Sequence, residues 1–96
     1  MDSDARGKQA LYGLFASVRN AKEAALLLED ILTPRELSSV AERWKLIQAL
    51  SSGMKQREIN KKLKISISKI TRGSRALRYG KGGFALFIKR MKKAAK

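Results

Sequence analysis

The segment that runs from Gln56 to Arg75 carries the side chains best suited to contact another molecule. Two short apolar-patterned stretches are joined there by a tight turn, with Ile59, Ile65 and Ile70 at inward-facing positions. This pattern predicts a helix-turn-helix, because buried aliphatic side chains fix the angle between the two helices. The second helix then presents its N-terminal polar residues to the major groove of DNA. We expect DNA contacts from Gln56, Arg57, Asn60, Lys64, Ile67, Ser68, Lys69, Thr71 and Arg75.

Side chains that could perform catalysis are scarce. The sequence has no Cys and no His, which excludes thiolate and imidazole chemistry, disulfides and zinc fingers. Glu58 is the only acidic residue between positions 49 and 96, so paired carboxylates cannot be assembled beside the helix-turn-helix. We therefore expect a protein that is not an enzyme and that binds no metal.

The distribution of charge points to an anionic partner. The chain has 22 basic and 8 acidic residues, for a net charge of +14. Residues 1–48 hold seven basic and seven acidic residues, whereas residues 49–96 hold fifteen basic residues and a single acidic one. A neutral half followed by a basic half predicts a nucleic-acid-binding half, with an acidic membrane as the weaker alternative.

Apolar residues recur at helical spacing along nearly the whole chain, which predicts an all-α fold of about six helices. In the first helix, Leu11, Leu14, Phe15 and Val18 share one face. The Ile65–Ser68 alternation is too short to indicate a strand. The expected helices cover residues 5–20, about 27–32, 34 to about 51, about 55–63, about 67–78 and 84 onward into the lysine tail.

Local signals mark several helix ends. Thr33 is expected to cap the third helix, and Glu36 to complete a capping box. Gly53 is a natural C-terminal stop for that helix, and Ser66 a cap for the second helix of the helix-turn-helix. Lys64 stands at the turn where glycine is usual, because φ is often positive there; a lysine costs about 1 kcal/mol in that conformation.

The length predicts one domain, with a dimerisation core over about residues 5–52, the helix-turn-helix over 55–78 and a C-terminal helix with a basic tail over 84–96. The apolar faces are long for so short a chain, which favours a homodimer over a loosely packed monomer. The longest apolar run, Ala24–Leu28, is far shorter than a membrane span of about 20 residues. The N-terminus is acidic and unlike a signal peptide, so we expect a cytoplasmic protein without a membrane partner.

The run Leu32-Thr33-Pro34, followed by Arg43, Gln56-Arg57-Glu58 and Ile70-Thr71-Arg72-Gly73-Ser74, resembles the Trp repressor family over about residues 26–78. The resemblance implies an intertwined, all-helical homodimer. Such a dimer binds a palindromic double-stranded DNA operator through two recognition helices, with L-tryptophan as corepressor.

The resemblance also implies a set of ligand-binding residues. Arg43 and Arg72 match the arginines that sandwich the indole, and Arg72 also matches the partner of the ligand carboxylate. Thr33 matches the residue whose hydroxyl lies near that carboxylate. Gly73 matches the glycine that leaves room for the indole ring. Asp30 and Leu32 match the positions whose backbone carbonyls face the amino group. By themselves, the residues leave two alternatives open: a surface ion pair for Arg43 and a phosphate contact for Arg72.

Two features of this sequence differ from the family pattern near that site. Ala76 stands where the family has a serine whose hydroxyl helps hold the amino group, and Lys69 adds another cation beside the ligand. The expected function is a sequence-specific repressor with tryptophan or a related indole as corepressor. One alternative is a ligand-independent helix-turn-helix regulator, which Ala76 favours. The other is a non-specific nucleic-acid-binding protein driven by the lysines.

Overall fold

The computed structural model describes residues 2–95, with side chains described for residues 4–94. Lys96, the last residue of the expected basic tail, lies outside that range. All regular elements of the described residues are helices, which confirms the all-α class. The six helices are α1 (Asp2–Ala16), α2 (Ala21–Ile31), α3 (Pro34–Ser51), α4 (Gln56–Leu63), α5 (Ile67–Tyr79) and α6 (Gly83–Ala95). None of the helices in this described part is long and apolar enough to span a membrane.

The chain divides into two compact units, residues 1–37 and residues 38–96. In the first unit, α1 ends at Ala16, four residues before the expected end. Ser17 interrupts it by donating a side-chain hydrogen bond of 2.6 Å to the carbonyl oxygen of Leu14. Asn20 then caps α2, since its side chain accepts a 2.9 Å hydrogen bond from the backbone N–H of Glu23. The short connection therefore starts α2 earlier than the apolar pattern indicated.

The N-terminus of α3 carries the capping box that the sequence predicted. The backbone N–H of Glu36 donates to the Thr33 hydroxyl at 3.1 Å, and the Glu36 carboxylate accepts from the Thr33 N–H at 2.9 Å. Two backbone donors that would otherwise lack partners are thereby satisfied reciprocally.

The C-terminus of α3, in the second unit, ends at the expected glycine. Gly53 has a φ of 92°, and its N–H donates to the Leu50 carbonyl at 3.1 Å. The N–H of Met54 donates to the Ala49 carbonyl at 3.2 Å. This pair of bonds is a Schellman motif, which requires a left-handed residue that glycine adopts without steric cost.

The second unit has a small aliphatic core. Ile59, Ile65 and Ile70 are buried as predicted, and they pack with Leu46 of α3. The apolar pattern did not single out Leu46, although it is 2% exposed. Each such side chain contributes about 1.5–3 kcal/mol on burial. Because α3, α4 and α5 all supply residues, this core holds the helix-turn-helix against the second half of α3.

The turn between α4 and α5 has the conformation expected for a helix-turn-helix. Lys64 lies in the left-handed region with a φ of 57°. Asn60 bridges the turn, its side-chain amide donating to the Ile65 carbonyl at 2.8 Å. Ser66 caps α5 by accepting from the Lys69 N–H at 3.3 Å. The positive φ at Lys64 and the cap at Ser66 were both predicted from the sequence.

The first unit contrasts with this arrangement, because none of residues 4–37 is buried. Large apolar side chains of α1 and α2 are exposed instead. They include Leu11, Leu14, Phe15, Leu26 and Ile31.

Candidate ligand pocket and DNA-reading helices

A pocket of about 180 Å³ lies between α3 and α5. Each of the two helices contributes four residues at positions i, i+3, i+4 and i+7, which is the spacing of one helix face. Phe84 from the start of α6 completes the lining. The full set is Ser39, Glu42, Arg43 and Leu46 from α3, Lys69, Arg72, Gly73 and Ala76 from α5, and Phe84.

The close approach of α5 to α3 depends on Gly73. This residue is buried, and a Cβ atom at its position would lie 2.7 Å from the Cδ2 atom of Leu46. The same Leu46 also belongs to the core with Ile59 and Ile70, so it has little freedom to move away. Gly73 was expected to leave room beside a ligand ring; here, the absence of its side chain also allows the two helices to pack together.

The pocket has both polar and apolar groups. Its apolar part comes from Leu46, Ala76 and Phe84. Its polar part contains three cations and a single carboxylate: Arg43, Lys69, Arg72 and Glu42. Such a lining suits a ligand that combines an apolar or aromatic body with an anionic group.

The cations of the pocket differ in their partners. Lys69 Nζ lies 2.9 Å from Glu42 Oε1, an ion pair that joins α5 to α3. Among the side chains described for residues 4–94, neither Arg43 nor Arg72 forms an ion pair. The surface ion pair considered for Arg43 is therefore not formed within this part of the chain, and both guanidinium groups are exposed.

Phe84 is positioned by an aromatic contact. Its ring stacks on that of Trp44, with the ring centroids 6.4 Å apart and the planes 28° from parallel. Such offset aromatic pairs stabilise beyond their buried area. The contact connects the start of α6 to α3 and keeps an aromatic ring at the pocket.

The ligand residues expected from the sequence are divided between the two units. Arg43, Arg72 and Gly73 line the pocket together, and Lys69 joins them as the additional cation. Asp30, Leu32 and Thr33 belong to the first unit, where Thr33 caps α3, and their ligand roles stay predictions.

Sequence reasoning did not identify Ser39, Glu42, Leu46 or Phe84 as pocket residues. For the three residues of α3, a usable signal existed. Ser39, Glu42 and Leu46 stand at helical spacing around Arg43, as Lys69 and Ala76 do around Arg72 and Gly73. Phe84 had no such signal, because its place depends on how α6 packs.

The residues expected to contact DNA lie mostly on exposed faces of α4 and α5. Ile67 is 52% exposed at the start of α5. Two of the expected residues already have intramolecular contacts: Asn60 with the turn and Lys69 with Glu42. The other exposed members of the set are Gln56, Arg57, Lys64, Ser68, Thr71 and Arg75.

The fold and the site together define an all-helical protein with a helix-turn-helix and a basic pocket beside its second helix. A family model described as Trp repressor protein matches residues 7–92, and the chain belongs to the Trp repressor family. At the level of the family it is a DNA-binding repressor.

Curated relatives agree with this membership. The chain is 36% identical to a "Trp operon repressor homolog" of Chlamydia trachomatis serovar L2 over 85 residues, which cover 88% of this chain and 90% of the relative. It is 40% identical to the protein of that name from serovar D over 73 residues, or 75% of this chain and 78% of the relative. It is also 27% identical to "Uncharacterized protein YerC" of Bacillus subtilis, over 91% of this chain and 86% of that protein. No solved structure matches significantly.

Proposed function

We propose that the protein is a homodimeric repressor that binds a palindromic DNA operator and uses L-tryptophan or a related indole as corepressor. The observation that carries this proposal is the pocket beside α5, whose lining includes Arg43 and Arg72. A ligand that contacts both α3 and α5 would influence how α5 meets the major groove. The printed names of the chlamydial relatives, which refer to the trp operon, support the same conclusion.

The chemistry of the lining suits an amino acid with an aromatic side chain. A carboxylate favours the planar fork of a guanidinium group, and an indole face favours stacking with the same group. Arg43 and Arg72 offer both, because neither has an ion-pair partner among the side chains described. Leu46, Ala76 and Phe84 add apolar surface for the ring. The residues present therefore fit the carboxylate and the ring of the corepressor.

The homodimer is supported by the exposed apolar faces of the first unit. Not one side chain of residues 4–37 is buried, so α1 and α2 have no core of their own within the chain. A second copy would cover those faces, and two-fold symmetry is the commonest solution for small chains. We expect sedimentation equilibrium to give about twice the 10.7 kDa chain mass. A monomer at all micromolar concentrations would contradict this part of the proposal.

One observation favours a second candidate, a regulator of the same fold that needs no ligand. Ala76 lines the pocket and offers no hydroxyl to an amino group. The absence of one hydrogen bond to a charged group costs about 1.5–3 kcal/mol. The experiment must therefore separate DNA binding from its dependence on a ligand.

The experiment selects duplexes from a randomised DNA library with the purified protein, in parallel with and without saturating L-tryptophan. We expect a palindromic site to be enriched and its affinity to rise with L-tryptophan. Enrichment that is indifferent to L-tryptophan would establish the ligand-independent regulator instead. Equal retention of all sequences, with a steep salt dependence, would establish a non-specific nucleic-acid-binding protein.

A pair of variants tests the pocket directly. Arg43→Gln should weaken L-tryptophan binding about tenfold or more in calorimetry, because it removes one of the two guanidinium groups. Arg35→Gln removes an exposed arginine of the same helix outside the pocket and is the matched control. Equal effects of both substitutions would mean that the ligand binds elsewhere.

A further inference from the structure

The ion pair between Glu42 and Lys69 joins two residues that lie 27 positions apart in the sequence. Its Nζ–Oε1 distance is 2.9 Å. The other two ion pairs among the described side chains, Lys8–Asp4 and Lys62–Glu58, connect residues one turn apart on the same helix. Lys69 is the pocket cation with a carboxylate partner, and it lies on the first turn of the recognition helix. Its side chain is therefore directed to α3 in this conformation.

Glu42 is the single carboxylate in the pocket lining. An ammonium group has three donors and no acceptor, so it needs acceptors in the site that holds it. Ala76 supplies none from its side chain, and Ser39 supplies a neutral hydroxyl. In this conformation the ammonium of Lys69 holds the single carboxylate of the lining.

We propose that Glu42 is an exchange site, at which the ammonium group of a bound amino acid replaces that of Lys69 and frees Lys69 to contact DNA. This inference rests on the proposed function, because it needs a ligand that carries both a carboxylate and an ammonium group. In this proposal Arg43 and Arg72 hold the carboxylate and the ring, and Glu42 takes the ammonium contact in place of the hydroxyl that Ala76 lacks, beside the backbone carbonyls that the family pattern assigns to Asp30 and Leu32. The exchange turns ligand binding into the release of a cation from the recognition helix.

Because the Glu42–Lys69 ion pair is exposed, little free energy is lost when it is broken. The side chain of Lys69 is 62% exposed and that of Glu42 is 39% exposed. Ion pairs exposed to this extent contribute little to stability. A ligand ammonium, once its carboxylate is held by arginine, is already positioned and can displace the longer and more mobile lysine side chain.

The exchange couples the pocket to DNA in both directions. Free Lys69 can contact a phosphate or a guanine edge directly, whereas paired Lys69 must first leave Glu42, so the exposed pair couples the two sites by a few-fold at most. Since coupling between two binding equilibria is reciprocal, DNA must raise the affinity for the ligand by the same factor. A ligand without an ammonium group would fill the pocket and leave Lys69 on Glu42.

The test compares L-tryptophan with indolepropionate, which keeps the indole ring and the carboxylate but lacks the ammonium group. Calorimetry is carried out on the wild-type protein and on Glu42→Gln. We expect Glu42→Gln to weaken L-tryptophan binding about tenfold and to leave indolepropionate binding unchanged or tighter. Equal weakening of both ligands, or no weakening of either, would overturn the exchange.

Glu58→Gln is a closely matched control. Glu58 pairs with Lys62 at 3.0 Å, and the two side chains are 42% and 64% exposed, nearly as in the pocket pair. This substitution also frees a lysine and raises the net charge by one, but it lies outside the pocket lining. It should alter the affinity for neither ligand, and thermal unfolding should show that both variants are folded.

A second readout uses the duplex recovered in the library selection. Without ligand, Glu42→Gln should bind that duplex several-fold more tightly than Glu58→Gln does, because the freed lysine is Lys69. Lys69→Gln should lose most of the effect of L-tryptophan on DNA affinity while still binding L-tryptophan. A full ligand effect in Lys69→Gln would overturn the exchange and leave the proposed function intact. Failure of the wild-type protein to bind either ligand would overturn both.

Discussion

The side-chain amide of Asn60 donates a hydrogen bond of 2.8 Å to the carbonyl oxygen of Ile65, across the turn of the helix-turn-helix. Asn60 is one turn from the end of α4, and Ile65 is the buried residue between α4 and α5. The bond satisfies a carbonyl that belongs to neither helix, at a point where Lys64 has already left the helical conformation. An alanine at this position could not make the contact, so the asparagine has a structural role in closing the turn.

Replacement of Asn60 tests the importance of this bond. Asn60→Ala should lower the free energy of unfolding by about 0.5–1 kcal/mol, the worth of one hydrogen bond less the better helix propensity of alanine. Asn60→Asp keeps the shape but loses the donor, and its carboxylate would face a carbonyl oxygen. It should therefore destabilise more than Asn60→Ala in urea unfolding. Two variants as stable as the wild-type protein would show that the bond contributes nothing.

The left-handed residue at the turn offers a stabilising substitution. Lys64→Gly should raise the free energy of unfolding by about 0.5–1 kcal/mol, because glycine avoids the steric cost of a φ of 57° while losing more chain entropy. Lys61→Gly is the control, since Lys61 lies inside α4 and should lose about 1 kcal/mol there. If both substitutions destabilise equally in urea unfolding, the turn does not hold Lys64 in the left-handed region.

Because Gly73 lies close to Leu46, a methyl group added at position 73 should lower the stability of the protein. Gly73→Ala should destabilise by about 1 kcal/mol or more, because overpacking beside the buried Leu46 outweighs the gain in helix propensity. Gly7→Ala adds the same group to α1, where no atom of the same chain lies within 4 Å, and should stabilise by about 0.5–1 kcal/mol. Thermal unfolding of both variants checks the signs. A stabilised Gly73→Ala would show that α5 does not pack closely on α3.

The lysines of α6 test whether the C-terminal helix contributes to DNA binding. The double substitution of Lys92 and Lys93 to Gln should flatten the dependence of log affinity on log salt by about 0.9 for each phosphate that is no longer neutralised. Lys8 and Lys22 lie in the charge-balanced half of the chain, and the same double substitution there is the control for net charge. Arg90 is kept in both, because it packs over the ring of Phe87 at 5.0 Å. If the slope of log affinity against log salt is the same for the two double variants, α6 does not contact DNA.

Much of the fold could be predicted because its determinants act over a few residues. The capping box of Thr33 and Glu36, the glycine stop after α3 and the Ser66 cap each involve groups within five positions of one another. The predicted end of α1 and the predicted start of α2 were wrong, because polar side chains fix these helix ends and apolar spacing does not. Asn20 caps α2 and Ser17 closes α1, so residues counted as helix belong to the connection. The prediction that Ile59, Ile65 and Ile70 are buried was correct, because two short helices joined by a tight turn can each bury only one apolar face.

By itself, the sequence determined the ends of the helices after Thr33, the left-handed turn and the position of the charge in the second half, and it predicted a ligand set that includes Arg43, Arg72 and Gly73. Only the tertiary structure decided which faces meet. Helical spacing marks Ser39, Glu42 and Leu46 as one face of α3, but not that this face lies against Lys69 and Gly73. That choice depends on a glycine that lets α5 approach Leu46 and on a core shared by three helices. The pairing of Glu42 with Lys69, and with it the proposed link between ligand and DNA, follows from this packing because the two residues are far apart along the chain.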